Sequence, residues 1–283
     1  MPVYTTKASL IEALSPYRKA MKIGFVPTMG ALHDGHLSLV SQAVSENDCV
    51  VVSIFVNPTQ FDNAGDLKKY PRTLDADVKL LNQTAGIVHV FAPEATHLYD
   101  GPVVSRHFNF GNLENEMEGK HRKGHFDGVG TVVSLLLKAV KPNTAYFGEK
   151  DFQQLQIVKK LAEIEQIPTK IKGCAIVREL NGLAMSSRNK RLSKTQFEEA
   201  VLIFKTLTEV KRLFKSHSIS QINTIVNDRF TKNPHLHLEY FEIANIKTLK
   251  TAQRKRKGSS YRAFIAAFAG DIRLIDNMDL GKW

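Results

Sequence analysis

Cysteine is scarce in this chain, with only Cys49 and Cys174 among 283 residues. They lie far apart inside the apolar runs D-C-V-V-V-S-I-F and K-G-C-A-I-V. Without any C-x-x-C spacing, a disulfide framework or a cysteine zinc site is disfavoured, and buried reduced thiols are expected. Long apolar runs are missing as well. No stretch reaches the roughly 18 to 20 residues of a membrane-spanning helix, and the opening M-P-V-Y-T-T-K-A-S-L lacks the apolar core of a secretory signal. A soluble, cytoplasmic protein is the expectation. There is no H-E-x-x-H pattern, no internal repeat and no Pro/Gly-rich linker.

The apolar content that is present, 43% of residues, supports one large α/β domain or two smaller ones and argues against general disorder. Lys and Arg exceed Asp and Glu by 39 to 28, a net charge of +11. That excess favours anionic partners, whether phosphorylated substrates, nucleic acid or a membrane surface, although a solvated basic surface has the same composition.

Apolar patterning gives the fold class. K-I-G-F-V-P-T over 22–28 reads as a buried strand, Leu37, Val40 and Val44 recur at helical spacing, and C-V-V-V-S-I-F-V over 49–56 is a β-branched run of the kind covered on both faces. An amphipathic segment precedes them around 10–17. The alternation continues with a helix over 73–82, a strand over 87–91, a helix over 131–140, a strand over 144–148, a helix over 152–166 and a strand over 171–177. This is the grammar of α/β, a Rossmann-like doubly wound parallel sheet. Beyond about residue 193, helices over 195–215 and 220–231 are followed by alternating segments such as L-H-L-E-Y-F-E-I and Y-R-A-F-I-A-A-F-A, which predicts a smaller α+β domain. The expected division is 1–177 and 178–283.

Four segments carry candidate chemistry. In V-P-T-M-G-A-L-H-D-G-H-L, Gly30 and Gly35 bracket a turn from strand to helix, where free N–H groups and the helix dipole favour an anion. His33 and His36, three apart, then share one side of that terminus, which suits a nucleoside triphosphate; half a metal site or two structurally satisfied histidines are the competing readings. In F-V-N-P-T-Q-F, Asn57 and Gln60 follow a strand end and offer amides to the same crevice, suited to a small hydroxylated acid, although an ordinary loop reads the same way. In G-E-K-D-F-Q-Q, Lys150 is placed to pair with phosphate oxygens and Gln154 lies one helical turn beyond Asp151, itself a natural helix-capping residue. In G-L-A-M-S-S-R-N-K-R-L-S, paired hydroxyls and Arg188 are what a mobile lid needs to grip a departing pyrophosphate; a plain linker is the alternative. A fifth segment, M-E-G-K-H-R-K-G-H-F-D-G-V, holds His121 and His125 among Lys120, Arg122 and Lys123, whose charge favours an anion-facing loop over a metal pair. The run R-K-R-K over 254–257 raises nucleic-acid binding as an alternative, but it lacks interleaved aromatics and reads more simply as a solvated turn between strands.

In this order the four segments resemble the pantoate–β-alanine ligases, the pantothenate synthetases of the nucleotidylyl-transferase superfamily. The likeness runs from about residue 23 to 189 and continues more weakly through L-I-D-N over 274–277. The resemblance implies a cytoplasmic enzyme of pantothenate biosynthesis, with ATP as substrate, accompanying Mg²⁺ and no organic prosthetic group. ATP and pantoate would form an enzyme-bound pantoyl adenylate with release of pyrophosphate, and β-alanine would then displace AMP. It also implies a C-terminal domain closing over the site, and a homodimer. By motif, Met29, Gly30, Ala31, Leu32, His33, Asp34, Gly35 and His36 would line the ATP site, His33 and His36 at the phosphates and His36 in an acid role. Gly148, Glu149, Lys150 and Asp151, with Val177, Met185, Ser186, Ser187 and Arg188, would complete it, Lys150 and Arg188 countering phosphate charge. Gln60 and Gln154, with Asn57 nearby, would hold pantoate. Metal ligands and the base for the amine are not assigned. Asn181, where relatives often carry aspartate, and Lys123, where proline is common, depart from the pattern. A nucleotidyltransferase of the same superfamily is the nearest alternative enzyme.

Overall fold

The computed structural model describes residues 1–61 and 64–283. In chain order the elements are β1 (Val3–Tyr4), α1 (Lys7–Leu14), β2 (Ile23–Thr28), α2 (Asp34–Glu46), β3 (Cys49–Ile54), α3 (Ala64–Lys69), α4 (Leu74–Leu81), β4 (Val88–Phe91), α5 (Ala95–Tyr99), α6 (Met117–His121) and α7 (His125–Val140). They continue with β5 (Thr144–Gly148), α8 (Phe152–Ile164), β6 (Lys170–Cys174), α9 (Lys194–Glu199), α10 (Val201–Leu213), α11 (Ile219–Thr231), β7 (His237–Asn245), β8 (Ser260–Ala269) and β9 (Ile272–Lys282). The chain divides into two compact units. One comprises Met1–Phe110, Arg122–Glu149 and Gln154–Ala175; the other comprises Gly111–His121, Lys150–Gln153 and Ile176–Trp283.

The first unit is built on a parallel six-stranded sheet ordered β1-β4-β3-β2-β5-β6. Parallel strands need crossover helices, so both faces are covered, and the strands carry the continuous apolar runs seen in sequence. Val26, Val50, Val52 and Val90 meet Leu39, Val40 and Ala43 of α2 in one core. The strand order turns back at β2, with β3 and β4 to one side and β5 and β6 to the other. At such a switch point two crossovers leave in opposite directions and open a crevice at the carboxyl ends of the strands.

Helix α7 starts at His125, six residues before the expected start at Thr131. Gly128 and Gly130 weaken the helical signal, but packing requires them: a Cβ on Gly128 would lie 2.3 Å from the Thr59 carbonyl oxygen, and one on Gly130 3.0 Å from the rings of Phe108 and Phe110. Close approach outweighs a propensity cost of about 1 kcal/mol per glycine. The last parallel strand ends at Cys174, short of the expected 177. Cys49 and Cys174 are buried and unbridged, and desolvation pushes both thiols up to about 11.

The second unit packs α10 and α11 on an antiparallel sheet ordered β7-β8-β9, through Leu207, Val210, Ile222 and Val226 against Ile243, Ile265 and Leu274. Reciprocal capping boxes start α9 (Ser193 with Gln196) and α11 (Ser218 with Gln221). The helix expected over 195–215 is two helices, parted at Ala200, where Ile203 N–H bonds only three residues back. Segment Gly111–His121 belongs here because Glu118 forms a bidentate pair with Arg273 of β9 (2.7 and 2.8 Å), while Arg273 also binds Glu239 and the Tyr240 hydroxyl donates to Glu118 (2.7 Å). Gln153 joins it, accepting from Glu118 N–H and donating to the carbonyls of Leu113 and Glu116. Burial and the adjacent Glu118 carboxylate push the Tyr240 phenol well above its ordinary range, so it remains a donor.

Candidate active site

The turn after β2 is held from three directions. Thr28 Oγ1 donates to the Ser53 carbonyl (2.6 Å) and accepts from Gly30 N–H (3.2 Å). Gly30 and Ala31 both lie at positive φ, +81° and +50°. This pair of left-handed residues aims the N–H groups of Ala31 and Leu32 at the Asp77 carboxylate, at 3.0 and 2.7 Å. Thr73 Oγ1 also donates to that carboxylate, which is 3% exposed. The chain thereby reverses tightly enough for α2 to begin at Asp34, with His33 as its extended N-cap. The imidazoles of His33 and His36 lie with centroids 4.1 Å apart, at the amino end of α2 where the helix dipole favours an anion. Met29, Gly35 and both histidines are half-buried, and Asp34 is exposed.

Asn57 and Gln60 follow β3, beside β2 in the sheet. Asn57 is buried, and its amide is turned inward. Nδ2 donates to the Gly128 carbonyl (3.1 Å) and to Gln60 Oε1 (3.2 Å), and Oδ1 accepts from the hydroxyls of Tyr99 (2.6 Å) and Thr59 (3.1 Å). Asn57 therefore braces the 57–60 loop on α7. Gln60 is half-buried; its carbonyl accepts from His125 Nδ1 (2.8 Å) and Arg122 (3.3 Å), and Nε2 lies 3.0 Å from Met29 Sδ. The side chain of Gln60 thus sits against the first residue of the histidine segment. Gly148 and Glu149 continue from β5, on the other side of β2, and Gln154 is half-buried in the first turns of α8.

The remaining expected residues belong to the second unit. Lys150 and Asp151 occupy a short 3₁₀ turn, with Nζ 3.8 Å from the Asp151 carboxylate. Segment 177–189 is a tight antiparallel loop. Arg178 bridges Ala184, Met185 N–H donates to the Val177 carbonyl (3.0 Å), and Asn181 Oδ1 accepts from Leu183 N–H (3.1 Å). Asn181 is thus occupied locally as a neutral acceptor. Ser186 caps the following 3₁₀ turn by accepting from Arg188 N–H (3.2 Å), and Asn189 Nδ2 donates to the Ala184 carbonyl (3.1 Å). Ser187 is buried, and Met185 and Arg188 are half-buried.

The fifth segment is not a loop. His121 ends α6 and stacks on Tyr240 (5.0 Å), whereas His125 starts α7 and serves the Gln60 carbonyl, so the two take up separate structural tasks. Among the described residues no group of three or more His, Cys, Asp or Glu side chains is arranged to hold a metal ion, and no helix is long and apolar enough to cross a membrane. The basic run 254–257 lies in the β7–β8 connection, where Lys255 Nζ sits 3.8 Å above the Trp283 ring. Asp77 and Thr73, which fix the turn, were not singled out in sequence; an acidic residue on the inward face of a short helix was the available signal.

The family model for pantoate-beta-alanine ligase matches residues 2–279. The chain belongs to the pantoate–β-alanine ligase family. It is 52% identical to a pantothenate synthetase of Christiangramia forsetii over the whole of both chains, and 50% identical to one of Flavobacterium psychrophilum over 99% of this chain and 100% of that one. Among solved structures, pantothenate synthetase from Thermus thermophilus superposes with a TM-score of 0.91 at 37% identity, covering 99% of this chain and 100% of that one. The pantoate-beta-alanine ligase from Francisella tularensis, crystallised with a β,γ-ATP ligand and β-alanine, gives 0.83 at 38% identity, covering 99% and 98%. The parallel sheet with a smaller antiparallel C-terminal sheet is the ligase family's fold.

Proposed function

We propose that this chain joins (R)-pantoate to β-alanine at the expense of ATP, through an enzyme-bound pantoyl adenylate. The full-length family match carries the reading. In the first step a pantoate carboxylate oxygen attacks the α-phosphorus and pyrophosphate leaves; in the second the β-alanine amine attacks the acyl carbon, AMP leaves and an amide forms with loss of a proton.

The chemistry asks for charge compensation and positioning, not for a covalent nucleophile. Two anions must approach each other, and the amino end of α2 with His33 and His36 offers an environment suited to phosphate oxygens. Lys150 and Arg188 counter the charge that builds on the departing pyrophosphate, and Gln60 and Gln154 hold the pantoate hydroxyls and carboxylate. The inward-turned amide of Asn57 supports a different role for that residue, that of holding Gln60 in place. Mg²⁺ arrives with ATP, since this cation keeps much of its water and binds through phosphate oxygens. A cytoplasmic homodimer is the assembly and setting we assign from the family.

Pantoate-dependent exchange of labelled pyrophosphate into ATP, without β-alanine, tests the adenylate. Exchange that needs pantoate is expected; amide formation with no exchange under any pyrophosphate concentration would point to a concerted route.

A further inference from the structure

The L-I-D-N segment of β9 has so far been given no task, yet two of its residues are among the most buried polar groups of the chain: Asp276 is 3% exposed and Asn277 2%. Consecutive residues of a strand face opposite sides of the sheet. Asp276 follows Ile272 and Leu274 on the face that packs against α10 and α11, whereas Asn277 pairs across the sheet with Phe264, whose ring lies 6.1 Å from that of Phe152. A buried amide on an aromatic face is costly unless both its ends are satisfied.

Both ends are satisfied, and the partners fix its orientation. Arg262 can only donate, so its Nη1, 2.5 Å away, must face Asn277 Oδ1. Nδ2 must then point the other way, where it donates to the backbone carbonyl of Lys150 at 2.8 Å. The guanidinium of Arg262 is itself stacked 4.0 Å above the Phe152 ring, two residues beyond Lys150. On the other side, Asp276 accepts from Asn277 N–H (2.7 Å) and forms a bidentate pair with Arg178 (2.6 and 3.1 Å), which also donates to the Gly182 carbonyl (3.1 Å). One dipeptide of β9 thus holds the backbone of Lys150 and, through Arg178, the start of the loop leading to Ser186 and Arg188.

We propose that Asn277 is a positioning residue for Lys150: by fixing the Lys150 carbonyl it holds the backbone from which this long side chain springs, so that the ammonium reaches toward the phosphates from one set origin. This rests on the reading of Lys150 as a phosphate-binding residue. Displacement of a catalytic group by about 1 Å can cost about 100-fold in rate.

The test is a double-mutant cycle read by pantoate-dependent pyrophosphate exchange. Asn277→Asp keeps the acceptor for Arg262 and the side-chain volume but removes the donor to Lys150. It is expected to slow exchange by at least about 10-fold when Lys150 is present, and by less than about 2-fold in a Lys150→Ala background, because residues acting through one group are not additive. Equal factors in both backgrounds would overturn the positioning role while leaving Lys150 in the site. If Lys150→Ala alone exchanges at the wild-type rate, the phosphate role of Lys150 fails, and the positioning role with it. Should Asn277→Asp not fold, Asn277→Ser, neutral and too short to reach the carbonyl, is put through the same cycle under the same criterion.

Discussion

His33 and His36 owe their proximity to a three-residue spacing on the first turn of α2, and their setting to a glycine and an alanine held left-handed just before it. Replacing His36 by Ala is expected to slow adenylate formation by about 100-fold or more, the scale of losing a donor to developing charge. The melting temperature should stay nearly unchanged, since a half-buried residue at a helix start contributes little to the core; a wild-type exchange rate would remove His36 from the mechanism. Gln60 differs because its backbone is pinned by His125 and Arg122 while its amide lies beside Met29. Gln60→Ala should raise the pantoate KM far more than the ATP KM, measured in the same exchange assay, and equal changes would mean that it only shapes the loop. At this scale the sequence marks candidates whose chemistry shows in a short motif. For Asn57 the residue type suggests a ligand contact, whereas its buried amide is bonded to Gly128, Tyr99, Thr59 and Gln60, partners that no local pattern announces.

Among the elements, α4 does most to shape the turn. Asp77 is 45 and 46 residues beyond the two N–H groups it binds, so no local pattern announces the contact. Asp77→Ala would leave those buried donors unsatisfied, at about 1 to 3 kcal/mol for each. A loss of about 2 to 6 kcal/mol in urea unfolding is expected, together with slower adenylate formation because the histidine segment loses its brace. Unchanged stability would mean that water replaces the carboxylate. The same distance dependence explains why strands β2, β3 and β5 were legible, being continuous apolar runs, while the amino-terminal turns of α7 were not. Its glycines signal a loop until the Thr59–Gln60 backbone is laid across Gly128 and the rings of Phe108 and Phe110 across Gly130.

Across the whole chain, the division expected at residue 177 follows the end of the parallel sheet, but the second unit also takes in Gly111–His121 and Lys150–Gln153. The contacts responsible, such as Glu118 to Arg273 at a separation of 155 residues, are invisible to periodicity. A comparable long-range tie in the first unit gives stability a pH signature. Burial acts to raise the Glu165 carboxyl, but Arg106 and Lys138 outweigh it and hold it at about 2. A carboxylate depressed in the fold contributes stability above its unfolded pKa and loses it as pH falls from about 4.5 towards about 2. With both cations half-exposed, the contribution is about 1 to 2 kcal/mol. Glu165→Gln should therefore be less stable than wild type at pH 7 by that amount, with the gap closing through this window; a gap independent of pH would mean that the loss is one of packing.

Two-step ligation is checked by following AMP, pyrophosphate and pantothenate together, with ATP, Mg²⁺ and D-pantoate, in the presence and absence of β-alanine. Sustained AMP release is expected to require both pantoate and β-alanine, with one pantothenate formed per AMP. Continuous pyrophosphate release without AMP, whatever acid or amine is supplied, would contradict it and make the chain a nucleotidyltransferase on the same fold.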